Sequence, residues 1–120
     1  MEASRQMAFE QLSSRMRFTL PVLEKIAKHS TCTEDQLQDL NVFYTLTATE
    51  AETLFGTRSY TKIKPLTHDI KTFVLDIIGF LQQSVPSDKE KKSVTSKALL
   101  LTREIRDVLA TMKEERGKSI

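Results

Sequence analysis

Residues 63–80 read IKPLTHDIKTFVLDIIGF, and their apolar side chains recur at steps of three and four residues. Such steps return to one face of an α-helix, so the pattern predicts an amphipathic helix. Its apolar stripe consists of Ile63, Leu66, Ile70, Phe73, Ile77 and Phe80, and it is widened by Val74, Ile78 and Leu81. A stripe of this width indicates burial against more than one neighbouring helix.

Three further stretches of the chain carry the same helical period. We predict helices over about residues 4–29, 33–55, 61–84 and 88–116. The turns between them are only a few residues long, which forces consecutive helices to run antiparallel. The predicted fold is therefore all-α, a single up-down-up-down antiparallel four-helix bundle that forms one domain over residues 1–120.

Local signals mark the predicted helix ends. Thr33 and Ser87 are each followed three residues later by a glutamine or a glutamate, which is the spacing of a capping box. Gly56 favours the left-handed conformation that ends a helix. Pro65 is expected in the first turn of the third helix, where proline is tolerated because the first backbone N–H groups have no partner in the helix.

Composition excludes several classes of function. Cys32 is the only cysteine, so no intrachain disulfide can form and no zinc or iron–sulfur site is encoded. We predict no metal ion and no cofactor. No apolar run approaches the about 20 residues that span a bilayer, so we expect no membrane span. The single cysteine fits a reducing, cytoplasmic location.

The charges are divided unevenly along the chain. The net charge of +2 combines −3 over residues 1–57 with +5 over residues 58–120. The lysines between Lys89 and Lys97 lack the neighbouring aromatic side chains that stack on bases, so a nucleic acid is not the expected partner. We predict a protein partner instead, either an amphipathic helix of another protein or a second copy of this chain.

One histidine stands out on the third predicted helix. His68 lies two residues from both Leu66 and Ile70, so it faces away from the apolar stripe. Asp69 is its neighbour, and Thr72 lies one turn further on. An exposed imidazole can act as a nucleophile toward phosphorus, a carboxylate can accept its proton, and a hydroxyl can position a water molecule. The simpler alternative is a surface histidine without a chemical role.

Residues 67–80, THDIKTFVLDIIGF, resemble the H-box of the dimerisation domains of sensor histidine kinases. That box runs Ser/Thr-His-Glu/Asp-Leu/Ile-Arg/Lys-Thr-Pro-Leu, and Phe73 stands here at the position of its proline. The resemblance extends over residues 60–118 as a helical hairpin. It implies that His68 receives a phosphoryl group, that Asp69 acts as general acid or base, and that Thr72 assists dephosphorylation. No Gly-rich phosphate-binding stretch occurs in the sequence, so the phosphoryl group would come from another protein.

These observations leave two functions open. The first is a non-enzymatic adaptor or regulatory module that docks a partner's amphipathic helix in a groove between two of its own helices. The candidate anchors for such a helix are Phe18, Val22, Phe43, Val74, Ile78 and Leu81. The second is a phosphorelay acceptor that uses His68 and has no ATP-binding domain of its own. We favour the first, in which the chain is not an enzyme.

Overall fold

The computed structural model describes residues 2–118, and the side chains of residues 3–117. Four α-helices follow one another, with a short 3₁₀ helix, Ala51–Leu54, after the second. The α-helices are α1 (Glu2–His29), α2 (Glu34–Glu50), α3 (Arg58–Leu81) and α4 (Asp88–Lys118). No strand occurs between residues 2 and 118. The predicted all-α four-helix fold is confirmed.

The helices occupy the corners of a rod that measures 52 × 20 × 19 Å. Each helix packs against its two neighbours around the rod: α1 contacts α2 and α4, and α3 contacts the same two helices. Within residues 2–118, α1 does not contact α3 and α2 does not contact α4. These two pairs therefore lie at opposite corners, which decides which surfaces can be adjacent.

The predicted apolar stripes form the core of the rod. All six stripe residues of α3 are at most 6% exposed. The buried stripe of α4 faces them and consists of Val94, Ala98, Leu101, Ile105, Val108 and Met112. Burying one large apolar side chain stabilises a fold by about 1.5–3 kcal/mol. Apolar burial is therefore the main force that holds the helices together.

The predicted capping signals are present. The Thr33 hydroxyl accepts a hydrogen bond from the backbone N–H of Gln36 at 3.1 Å, and the Gln36 side chain accepts one from the N–H of Thr33 at 2.9 Å. Ser87 and Glu90 form the same reciprocal pair before α4, at 3.2 Å and 3.1 Å. Gly56 has a φ of 89°, the left-handed conformation expected between α2 and α3. Each cap contributes about 1 kcal/mol.

α3 begins earlier than predicted. Thr57 caps it, because its hydroxyl accepts the backbone N–H of Tyr60 at 3.1 Å. Pro65 therefore lies inside α3, and its predicted place in the first turn is wrong. Pro65 and Thr61 are both exposed, so the Thr61 carbonyl that loses its N–H donor can bond to water. As a consequence, His68 lies near the middle of α3.

Exposed ion pairs join α4 to both of its neighbours. Lys62 of α3 pairs with Asp107 at 2.9 Å, and Glu24 of α1 pairs with Arg106 at 2.8 Å. Exposed pairs contribute at most about 1 kcal/mol each. They favour one register of the helices, while the core supplies most of the stability.

Two phenylalanines offer a matched test of this core. Phe43 is fully buried, whereas Phe18 is 51% exposed. We expect Phe43→Ala to lower the free energy of unfolding by about 3–5 kcal/mol, because it leaves a cavity. Phe18→Ala is expected to lower it by less than about 1 kcal/mol. Urea unfolding followed by circular dichroism measures both values, and equal losses would contradict this assignment of the core.

Candidate functional site

His68 is exposed on the side of α3 that borders α2. It lines a cleft of 370 Å³ whose other walls are Tyr44, Ala48, Ala51, Lys64, Thr67 and Lys71. Lys64 and Lys71 lie one turn before and one turn after His68, so both ammonium groups are on its side of the helix. Lys64 also pairs with Glu52 at 2.9 Å. Lys71 is therefore the cation of this cleft that forms no ion pair with a described residue, and the imidazole is open to solvent.

The structure does not assemble the histidine, carboxylate and hydroxyl into one site. Asp69 is turned toward α4, where its carboxyl interacts with that of Glu104. Neighbouring positions on a helix differ by about 100°, which places His68 and Asp69 on opposite flanks of α3. Thr72 shares the exposed side with His68, and its hydroxyl donates to the His68 backbone carbonyl at 3.1 Å. The expectation that His68, Asp69 and Thr72 form one site is therefore corrected: Asp69 lies apart from the other two.

The contact between Asp69 and Glu104 was missed by sequence reasoning, because 35 positions separate the two residues. Burial at the interface of α3 and α4, followed by the hydrogen bond and the charge of the neighbouring Asp69 carboxyl, together raise the pKa of Glu104 to about 7. Protonated Glu104 can donate a hydrogen bond to Asp69, whereas two ionised carboxylates repel each other. Neither carboxyl forms an ion pair with a Lys or Arg in the described part of the chain.

Metal and thiol chemistry find little support in the structure. Among residues 3–117, no group of three or more His, Cys, Asp and Glu side chains could hold a metal ion. Cys32 is 3% exposed, and burial raises the pKa of its thiol to about 11. A thiol of that kind is a poor nucleophile near neutral pH. None of the helices between residues 2 and 118 combines the length and the apolar character needed to cross a bilayer.

The six predicted docking anchors do not form one surface. Phe43 and Val74 are buried in the core, so the prediction that they contact a partner is wrong. Val22 is half-buried. Phe18, on α1, is exposed, while Ile78 (39% exposed) and Leu81 (37% exposed) belong to α3, at the opposite corner of the rod.

Phe43 was misplaced because two stripes fit the sequence of α2 equally well. One stripe at steps of three and four runs through Leu37, Leu40 and Tyr44, whereas the structure turns Phe43 inward, three residues after Leu40. Tyr44 is left half-buried at the edge of the core. A phenyl ring loses no polar contact when it is buried, whereas a tyrosine hydroxyl needs a partner. This difference favours Phe43 for the interior.

The outward side of α2 is apolar in a way the sequence analysis did not single out. A shallow cleft of 530 Å³ on this helix is lined by Gln38, Asn41, Val42, Thr45, Leu46 and Thr49. Val42 is 43% exposed and Leu46 is half-buried. The hydroxyls of Thr45 and Thr49 donate to backbone carbonyls of the same helix, at 2.9 Å and 2.8 Å. Because these hydroxyls are already satisfied, the outward surface is less polar than its composition suggests.

This surface continues onto α1 through Leu46. Leu46 also lines a cleft of 680 Å³ together with Phe18, Arg15, Gln11, Ser14 and Glu10 of α1. The Arg15 guanidinium lies 5.0 Å from the centre of the Phe18 ring, which it covers by a cation–π contact. We call the combined surface the α2 face, and define it by Phe18, Asn41, Val42, Thr45, Leu46 and Thr49.

Acidic residues stand at both ends of the α2 face. Asp39, Val42, Leu46 and Glu50 follow one another at steps of three and four, so they share one stripe of the helix. Residues 40–49 carry no charged side chain, and residues 29–57 contain no Lys or Arg. Asp39 and Glu50 form no ion pair with another described residue. The part of the α2 face that α2 contributes is thus uncharged between two carboxylates without an ion pair, while Arg15 covers the Phe18 ring at its α1 edge.

Comparison of the chain with models of protein families, with curated proteins and with solved structures finds no match. Its function is therefore inferred from the geometry described above.

The carboxyl pair of Asp69 and Glu104 predicts an unusual dependence of stability on pH. The folded state keeps a proton on Glu104 up to about pH 7, while the unfolded chain loses it near its ordinary pKa of 4.5. Folding therefore takes up a proton between these values, and stability falls as the pH rises through this range. Glu104→Gln keeps a neutral hydrogen-bond donor at every pH. We expect it to stabilise the protein at about pH 8 by about 1 kcal/mol, allowing for partial solvent screening, and to have little effect at about pH 5.

Urea unfolding across the pH range measures this difference. The matched control is Glu114→Gln, the same change on the same helix, at a residue whose side chain is 60% exposed and pairs with Arg58 instead. A gain at high pH that appears equally in both variants, or in neither, would refute the carboxyl pair.

Proposed function

We propose that this chain is a non-enzymatic protein-interaction module that binds a helix of its partner on the α2 face. The observation that carries this proposal is an exposed helical surface with an uncharged centre and carboxylates at both ends. The surfaces of soluble helices are normally charged, and the chain as a whole is 28% charged. Depletion of charge at the centre of a patch is a feature of protein interfaces.

The shape and chemistry of the α2 face define the partner. A docked helix presents apolar side chains at steps of three and four residues, which suit a shallow groove between two helices. Here Phe18 and Leu46 line such a groove between α1 and α2. The carboxylates of Asp39 and Glu50 are eleven residues apart, about 16 Å along the helix. The matching partner is an amphipathic helix with lysine or arginine on either side of an apolar centre.

A model peptide tests this proposal. The probe is a fluorescein-labelled helix of leucine and lysine in which two central leucines lie between lysines about eleven residues apart. We expect fluorescence anisotropy to show saturable binding that weakens as salt is added. Asp39→Lys with Glu50→Lys should weaken binding about tenfold or more, because two attractions become repulsions. Val42→Ser should weaken it through loss of apolar contact.

The control variant is Glu34→Lys with Asp35→Lys. It makes the same change of charge on the same helix, but in the first turn and outside the α2 face. Binding that both charge variants reduce equally would be non-specific attraction, and the proposed site would then be abandoned.

A second candidate function, acceptance of a phosphoryl group by His68, is also supported by a specific observation. His68 is exposed near the middle of α3, with Lys64 and Lys71 lining the same cleft. The ammonium group of Lys71 would attract a phosphoryl group and help to neutralise its charge, while that of Lys64 is already paired with Glu52. An imidazole nitrogen of His68 would attack phosphorus and form a P–N bond, while the bond from phosphorus to the donor breaks with its electrons going to the donor atom, an oxygen in a phosphorylated receiver domain or the nitrogen of phosphoramidate. The proton on the other ring nitrogen would pass to solvent. Because Asp69 lies on the other flank, any acid or base would come from the donor protein.

Phosphoryl transfer to His68 is tested with small and protein donors. We expect phosphoramidate, or a phosphorylated receiver domain, to leave an acid-labile, base-stable phosphate on the wild-type chain. His68→Ala should abolish that label, whereas His29→Ala, which removes the other histidine, should retain it. Phosphate-affinity electrophoresis before and after acid treatment distinguishes these results. Equal labelling of both variants, or no label on the wild type, would eliminate this function.

A further inference from the structure

We propose that the helix that binds the α2 face is α4 of a second copy of this chain, so that copies join head to tail. This inference rests on the proposed function, since it names the occupant of the same surface. Its basis is a second exposed patch, on α4, whose charges and apolar groups complement those of the α2 face.

The outward side of α4 has an apolar centre between two cations. Leu99 is 46% exposed and Leu100 is 52% exposed. Lys92 precedes Leu99 by seven residues and Arg103 follows it by four, so the three lie on one stripe of the helix. Residues 91–103 contain no Asp or Glu. We call Lys92, Leu99, Leu100 and Arg103 the α4 face.

The cations of the α4 face are free to bind a partner. Lys92 and Arg103 are exposed, and neither forms an ion pair with another described residue. By contrast, Lys97 and Arg106 of the same helix are engaged with Asp76 and Glu24. Lys89, Lys91 and Lys113 of α4 also form no ion pair with a described residue, but only Lys92 and Arg103 share the stripe of Leu99 at an equal spacing to Asp39 and Glu50.

The spacing of charges on the two faces is the same. Asp39 and Glu50 are eleven residues apart, and so are Lys92 and Arg103. Each pair spans about 16 Å along its helix. Because the spans are equal, both carboxylates meet a cation whether the two helices dock parallel or antiparallel. The apolar centres of the α2 and α4 faces then lie against each other.

The fold determines which kind of oligomer this contact between copies produces. α2 and α4 lie at opposite corners of the rod, so the two faces point away from each other. A copy can therefore offer both faces to different neighbours at the same time. Two copies cannot pair both faces with each other, because the two faces of one copy point in opposite directions. The expected product is an open-ended row of copies whose length increases with concentration.

Sedimentation velocity and light scattering over a concentration series test the assembly of the full chain. We expect the wild type to form a broad range of oligomers that shift to the monomer at high salt. Val42→Ser with Leu46→Ser disables the α2 face, and Leu99→Ser with Leu100→Ser disables the α4 face. Each variant alone should be monomeric. An equimolar mixture should form a dimer and nothing larger, because only one pair of intact faces remains.

Charge reversal provides a second readout that leaves the apolar side chains in place. Asp39→Lys with Glu50→Lys should weaken association about tenfold or more, as should Lys92→Glu with Arg103→Glu. A chain that carries all four changes should associate again, because the charges are exchanged and remain complementary. Glu34→Lys with Asp35→Lys is the control, and it should leave the oligomers intact.

The outcomes separate this inference from the proposed function. Suppose that the wild type stays monomeric at high concentration while the leucine–lysine peptide still binds the α2 face. The second copy is then refuted as the occupant, and the α2 face remains the proposed docking surface. If neither the chain nor the peptide binds, both proposals fall. Oligomers that persist when the α2 face is disabled also overturn the head-to-tail contact. The same holds if the chain that carries all four charge reversals does not associate again.

Discussion

Burial of one continuous apolar face of α3 is the interaction on which the rest of the structure depends. Its side chains from Ile63 to Phe80 are almost completely removed from water, and they pack against α2 on one side and α4 on the other. The exposed ion pairs contribute little beside this apolar burial. Because α3 must contact both neighbours, α2 and α4 are held apart at opposite corners.

The position of α3 also determines the chemistry of its polar side. His68 and Asp69 are adjacent in the chain, yet one borders α2 and the other borders α4. The histidine is left between lysines in an open cleft, while the carboxyl of Asp69 is pressed against that of Glu104. His68 and Asp69 are therefore neighbours in the sequence but lie on different flanks of α3. This division favours a binding role for the bundle over a catalytic one.

The same arrangement places the acidic and the basic parts of the chain on opposite edges of the rod. The segment without basic residues forms α2, and the helix richest in lysine and arginine is α4. Their exposed sides face away from each other, so the molecule carries an acid-flanked apolar patch on one edge and a base-flanked apolar patch on the other. Opposite patches on opposite edges suit side-by-side contact between molecules far better than a contact within one molecule.

The sequence by itself determined the helices, their caps and most of the core, because these depend on local hydrogen bonds and on a period that is visible in the chain. The stripes of α3 and α4 and the caps at Thr33 and Ser87 could be predicted for that reason. The choice between Phe43 and Tyr44, the place of Pro65, and the exposure of Ile78 and Leu81 depended on which neighbours each helix acquired. Only the tertiary structure brought Glu104 to Asp69 and left Val42 and Leu99 uncovered, since contacts between distant residues follow from the packing of whole helices and leave no local pattern.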